Sequence, residues 1–293
     1  MSKELLRSFK DSQALSQARL ATMLGVGVST ATVSQYLNGT YTGDIKAIDK
    51  KVRELVERSQ DKQKDIKTGF VLTGSARRTL SVCTDAHVLG DIRLVIGEAG
   101  LGKTVAIKEY AMHTDGVILV ESEPTFSPKI LLNQLCHALG VVPSRNNHDN
   151  LSAIKNKLKD SGRLIIIDEA ELLSYKCLEI IRRIHDMTGV GVILAGMPRL
   201  VANLKGKSGE YKQLYSRVGF VHDLGTDLSD DDIGLLAKQL LGTDEHDTAL
   251  QKACGGNARR LSKLIRTVNL TASRSNKPIS DEMITAVSLT LIN

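Results

Sequence analysis

Apolar positions along the chain change their spacing twice. Between residues 1 and about 60 they recur at helical intervals: Leu20, Met23 and Leu24 in "SQARLATML", Val28, Val33, Tyr36 and Leu37 in "GVSTATVSQYLNG", and Ile48, Val52, Leu55 and Val56 in "AIDKKVRELVERSQ". Ser16 and Ser29 stand where a helix cap is favoured, and Asn38-Gly39 where a helix stops. The polar stretch "SQDKQKDIK" then predicts a linker. From about 69 to 225, continuous apolar runs alternate with helical patterns; the runs are "IRLVIG", "GVILVESE", "GRLIIIDE", "GVGVILAG" and "RVGFVHDL". Strands apolar on both faces and joined by helices predict a parallel sheet covered on both sides. After 226 only helical spacing remains, in "LSDDDIGLLAKQLL", "ARRLSKLIRTVNLTA" and "SDEMITAVSLTLI". The division predicted is an all-α domain over 1–60, a linker over 61–68, an α/β core over 69–225 and a helical lid over 226–293.

The chemistry begins where the first predicted strand ends. "GEAGLGKT", Gly97 to Thr104, fits a glycine-rich phosphate loop between a strand and a helix. Gly97, Gly100 and Gly102 let backbone N–H groups close around phosphate oxygens, and the following helix presents its positive end to the same charge. Lys103 would reach the β- and γ-phosphates of ATP, and Thr104 would hold Mg²⁺. The run "LIIIDEAELL" brings Asp168 and Glu169 to the exit of a buried strand. Asp168 suits a water-mediated hold on the Mg²⁺, and Glu169 suits polarising the water that attacks the γ-phosphate. A chain that only bound nucleotide would have no use for Glu169, so the pair points to hydrolysis.

Phosphate loop, DE-ended strand and helical tail together resemble an AAA+ ATPase over residues 69–293. The resemblance implies sheet order 5-1-4-3-2 and a lid closing over the nucleotide. It implies that "YKQLYSRVGF" carries an arginine finger, Arg217, for the neighbouring subunit's site, and that "GGNARRLSKLI" carries a second sensor, Arg259. It also implies a polar sensor at the end of the fourth strand, where this chain has Met197 in "VILAGMPRL". A thioether orients water poorly, so slow hydrolysis is expected.

The first sixty residues predict a helix-turn-helix that presents Ser29, Thr30, Thr32 and Gln35 outward from its second helix, as groups able to read bases or grip phosphates. That helix carries no arginine, which disfavours sharp sequence preference; a helical protein-docking module is the other reading. A head of this kind on an AAA+ core resembles the B transposition proteins of phage Mu and their transposon-encoded relatives. The pieces that carry it are "LSQARLATMLGVGVSTATVSQYLNGTYTGD", "GEAGLGKT", "LIIIDEAELL", "GVILAGMPRLVANL" and "LYSRV", in that order. The resemblance implies an ATPase that polymerises on double-stranded DNA as a helical filament in the ATP state, activates a DDE-type transposase there, and disassembles on hydrolysis. It places Lys129 among DNA contacts, while charge and flexible glycines suggest Lys205 and Lys207, each of which also fits a solvated loop.

Charge and composition narrow the field further. The 293 residues carry a formal charge of +6, and residues 1–70 hold 12 Lys/Arg against 8 Asp/Glu, which fits a polyanionic partner. No apolar run approaches a membrane span and the start lacks a signal-peptide pattern, so a cytoplasmic protein, acting at the bacterial nucleoid, is expected. Cys83, Cys136, Cys177 and Cys254 lie far apart without a CxxC pair and predict buried free thiols. A helicase-loader or replication-initiator ATPase and a nucleotide-switched transcriptional regulator share these motifs and remain alternatives. The basic face of Arg260, Lys263 and Arg266 is a candidate for contact with the transposase.

Overall fold

A computed structural model of the protein describes residues 2–63, 69–206 and 212–291. The chain divides into two compact units, Met1–Lys67 and Thr68–Asn293.

The first unit is all helical. Helices α1 (Ser2–Ser12), α2 (Gln17–Leu24), α3 (Thr30–Asn38) and α4 (Ile45–Gln63) enclose one core. It is built from Leu6, Phe9, Leu20, Leu24, Val33, Tyr36, Leu37 and the α4 stripe Ile48, Val52, Leu55 and Val56. Capping sets the boundaries. The Ser16 and Ser29 hydroxyls accept from the N–H groups of Arg19 and Thr32, and Gly39 ends α3 in the left-handed region at φ 78°. Gly25 and Gly27, at φ 84° and 85°, make the turn between α2 and α3. The Tyr36 hydroxyl donates to Asp49 on α4. Burial, followed by that carboxylate, pushes the phenol well above its ordinary range.

The second unit is a three-layer α/β fold. Strands β1 (Ile92–Ile96), β2 (Val117–Glu121), β3 (Leu164–Asp168), β4 (Gly191–Gly196) and β5 (Val218–Asp223) form a parallel sheet in the order β2-β3-β4-β1-β5. This is the order the AAA+ resemblance implies. Strand alternation sorts the side chains into two cores. Ile92, Leu94, Ile165, Ile167, Val192 and Leu194 face α7 (Pro128–Ala138), α8 (Asn147–Leu158), α9 (Tyr175–Thr188) and α10 (Arg199–Lys205). Val95, Leu164, Ile166, Ile193 and Ala195 face α5 (Gly74–Leu89) and α6 (Lys103–His113). Between α10 and β5 lies the short α11 (Lys212–Tyr215).

The C-terminal helices are α12 (Asp230–Leu241), α13 (Asp247–Cys254), α14 (Ala258–Ser275) and α15 (Asp281–Ser288). Their Ile233, Leu250, Leu261, Leu264 and Ile284 join the core on the α5–α6 side. α13, two turns long and lying between the predicted helices, is an addition to the sequence reading. β5 departs from that reading as well. Its run "RVGFVHDL" is apolar enough for a buried strand, but β5 is an edge, and Phe220 and Val221 are 55% and 42% exposed. Phe220 meets the guanidinium of Arg93, a buried charge on the adjacent interior strand β1 that also pairs with Asp91 and Asp85. All four cysteines are buried and free. Among the described residues no helix is long and apolar enough to cross a membrane.

Candidate functional site

The loop between β1 and α6 needs glycine for two separate reasons. Gly100 and Gly102 have φ of 90° and 83°, a region that disfavours a Cβ. At Gly100 a Cβ would also overlap the side chain of Asn257. With these turns the loop brings the start of α6 against the end of β3. The Lys103 ammonium donates to the carbonyls of Gly97 and Glu98 at 2.7 and 2.8 Å. Burial pulls its pKa below the ordinary lysine value, opposed by the charges of Asp168, Glu171 and Glu98. The Thr104 hydroxyl donates to Asp168 Oδ2 at 2.6 Å, across the sheet ends. Asp168 is only 3% exposed, and its Oδ1 accepts the N–H of Glu169 at 3.0 Å. Glu169 is exposed and holds a left-handed backbone, φ 53° and ψ 36°. Ser122, just past β2, fixes that turn: its hydroxyl donates to the carbonyls of Asp168 at 2.9 Å and Glu169 at 2.6 Å.

These residues open onto a cleft of about 750 Å³, within the range of small-molecule sites. Its lining combines a polar set, Gly100, Gly102, Lys103, Thr104, Asp168 and Glu169, with an apolar set, Phe70, Val71, Leu236 and Leu240. A polar set and an apolar set in one cleft suit a phosphate chain and a flat base. Gly97 lies outside the cleft wall and acts through its carbonyl on Lys103. Arg259, on the first turn of α14, lines the cleft and bears on the Lys103 charge. Met197 lines it as well.

Arg217 lies away from its own chain's cleft. Its Nε stands 3.1 Å from Asp186 Oδ1 on α9, and its side chain is 55% exposed. The candidate DNA contacts belong to both units. Ser29 and Thr32 spend their hydroxyls on each other and on the α3 cap, whereas Thr30 and Gln35 are exposed. Lys129 is exposed in the first turn of α7. Lys205 ends α10 with its ammonium 5.3 Å from the Tyr215 ring centroid, and Lys207 lies outside the described residues.

Several site residues escaped the sequence reading. The segment Phe70–Val71 precedes any motif, and Ser122 lies in a run taken only as strand. Asn257 caps α14 through Arg260 N–H and donates to the Ala99 carbonyl at 2.8 Å, while Ala258 N–H reaches the Gly100 carbonyl at 3.0 Å. An Asn directly before an amphipathic run was a readable cap signal; its second bond, to the phosphate loop, was not. Glu171 and Arg199 also line the cleft; they fall inside the runs "LIIIDEAELL" and "VILAGMPRL", which gave neither of them a role.

An AAA domain family matches residues 90–204. The chain is 31% identical over 222 residues to the Mu-like prophage FluMu DNA transposition protein B of Haemophilus influenzae, covering 73% of this chain and 76% of that one. It is 28% identical over 201 residues to the ATP-dependent target DNA activator B of Escherichia phage Mu, covering 66% of this chain and 63% of the relative, just under two thirds of its length. Among solved structures, the Aeropyrum pernix ORC2 protein superposes with a TM-score of 0.60 at 16% identity, over 80% of this chain and 73% of that one. The Thermotoga maritima RuvB branch migration motor gives 0.50 at 16%, over 78% and 73%. At such identities these structures establish the AAA+ fold alone.

Proposed function

The chain belongs to the family of Mu-like transposition B proteins and is an ATPase, and we propose that it polymerises on target DNA in its ATP state, largely without regard to sequence, and delivers that DNA to a DDE-type transposase. The observation that carries this reading is the junction of Lys103, Thr104, Asp168 and Glu169 in one cleft of a chain from this family.

ATP would lie with its base against Phe70, Val71, Leu236 and Leu240, and its phosphates under the loop. Lys103 then exchanges its two carbonyl partners for β- and γ-phosphate oxygens. The Thr104 hydroxyl and Asp168 carboxylate, already within 2.6 Å, are the hard oxygen donors that Mg²⁺ requires. That ion would neutralise charge developing on the phosphates. Glu169, held exposed by its left-handed turn, accepts the proton of the attacking water. Arg217 completes the site from the next subunit; its position outside its own cleft supports that assignment. ATP between subunits ties assembly to the γ-phosphate, so hydrolysis releases the polymer. The grip on DNA comes from cations on phosphates, with Lys129, Lys205 and Lys207 from the core and Thr30 and Gln35 from the head as candidates, and it is strongly salt-dependent.

Electron microscopy on random-sequence linear duplex tests this, with a slowly hydrolysed ATP analogue and with ADP. Continuous filaments only with the ATP analogue are expected. Small rings or isolated particles in both states would favour a helicase loader or an operator-binding regulator instead.

A further inference from the structure

At the end of β4 the cleft is lined by Gly196 and Met197, neither of which has a polar side chain, but a second element reaches the same place. Glu171 sits in a 3-10 turn, Ala170–Leu172, just beyond β3. Its side chain is 5% exposed and lines the cleft with Lys103 and Asp168. Oε2 lies against Gly196, where any Cβ would overlap it, and has no hydrogen-bond partner among the described residues. Oε1 stands 3.7 Å from Arg199 Nη2. Arg199 opens α10, lines the same cleft and is 57% exposed. The Glu171 carbonyl accepts from Asn203 of α10 at 3.1 Å, which ties the turn to that helix.

A buried carboxylate with an unsatisfied oxygen is strongly disfavoured unless a cation completes it. Here the cation is near but not locked, since 3.7 Å exceeds hydrogen-bond length. A guanidinium has five donors in a planar fork, so Arg199 can face Glu171 and still present N–H groups to the cleft. The carboxylate itself would be repelled by a phosphate, which fixes the order of charges as Glu171, Arg199, phosphate.

We propose that Arg199 recognises the γ-phosphate from the β4 side and that Glu171 is its positioning residue, the pair supplying what Met197 cannot. The assignment rests on the reading that the cleft holds ATP with its phosphates at Lys103. Glycine at 196 is needed for space, because its missing side chain leaves room for the carboxylate. Because Arg199 is the first residue of α10, a pull from the phosphate acts on the helix that ends at Lys205.

The test is affinity for a fluorescent, slowly hydrolysed ATP analogue against that for fluorescent ADP, on the full chain. Arg199→Ala should weaken the ATP analogue about tenfold, the worth of one charge-assisted bond to phosphate, and leave ADP unchanged. Glu171→Gln keeps the size of the side chain but removes the charge, and should lower the same preference several-fold. The double variant should lose no more preference than Arg199→Ala, because the two residues act as one unit. Arg199→Lys, which retains charge without the fork, gives an intermediate preference and carries the test if the alanine variant does not fold. Equal losses for both nucleotides, or wild-type preference in the Arg199 variants, would overturn the assignment while leaving the nucleotide cleft intact. A wild-type chain that bound neither nucleotide would overturn the cleft reading and this assignment together.

Discussion

In the proposed hydrolysis, the placement of Glu169 rests on one backbone conformation. A non-glycine residue in the left-handed region is disfavoured by roughly 1–2 kcal/mol, so φ 53° persists only because its surroundings impose it. Ser122 does so from just past the neighbouring strand β2, through its hydroxyl and through its own N–H, which donates to the Asp168 carbonyl at 3.0 Å. Glu169→Gln removes the base without disturbing that turn. It should bind ATP as well as wild type, lower the hydrolysis rate by about a hundredfold or more, and leave filaments that persist after excess nucleotide is removed. Single-turnover hydrolysis and filament lifetime check both halves, and rapid disassembly by this variant would remove Glu169 from its assigned role. That Lys103, Thr104, Asp168 and Glu169 meet in one cleft was legible in the sequence, because each stands in a run marked by its neighbours along the chain. Glu171 was not, because it becomes a site residue only through Gly196 on another strand and Arg199 on another helix.

At the scale of elements, the phosphate loop is clamped from the C-terminal helices. Asn257 does two things with one amide: its oxygen caps α14 and its nitrogen holds the Ala99 carbonyl. Asp232 at the start of α12 likewise accepts from the N–H groups of Gly74 and Ser75 on α5, and the Ser75 hydroxyl donates to the Leu101 carbonyl. Asn257→Ala should destabilise the fold by about 1 kcal/mol, the worth of a helix cap, and loosen nucleotide binding as well. Asn257→Asp separates the two effects. It keeps the cap acceptor, so stability in denaturant is nearly retained, but sets a carboxylate against the Ala99 carbonyl, so nucleotide affinity falls. Equal affinity in Asn257→Asp and wild type would show that the loop bond has no bearing on binding. The five strands were visible as apolar runs, and their parallel arrangement followed from the helices between them. The exposure of β5 was not legible in its own residues, because an edge strand and an interior one share the same residue types; only the strand order implied by the AAA+ resemblance put it at an edge.

On the scale of the whole molecule, the question is what Arg217 does when the chain is alone. It rests on Asp186, which also pairs with Arg182 of the same helix. An exposed pair of this kind is worth no more than about 1 kcal/mol, so the guanidinium can leave it for a phosphate on a neighbouring chain. If the finger acts across a subunit boundary, the two halves of one site belong to different chains, and variants can complement each other. Arg217→Ala alone should bind ATP normally and hydrolyse none, and Lys103→Ala alone should bind poorly. Mixed in equal amounts on DNA, the two should recover activity up to about a quarter of the wild-type rate, the limit for equal incorporation, since in a head-to-tail polymer only one pairing in four sets an intact loop beside an intact finger. ATPase assays of the mixture at fixed total protein measure this. A mixture as inactive as its components would place the finger elsewhere, whereas recovery means that each active site is built by two chains and that the Asp186 pair is the resting place of a group that works in trans.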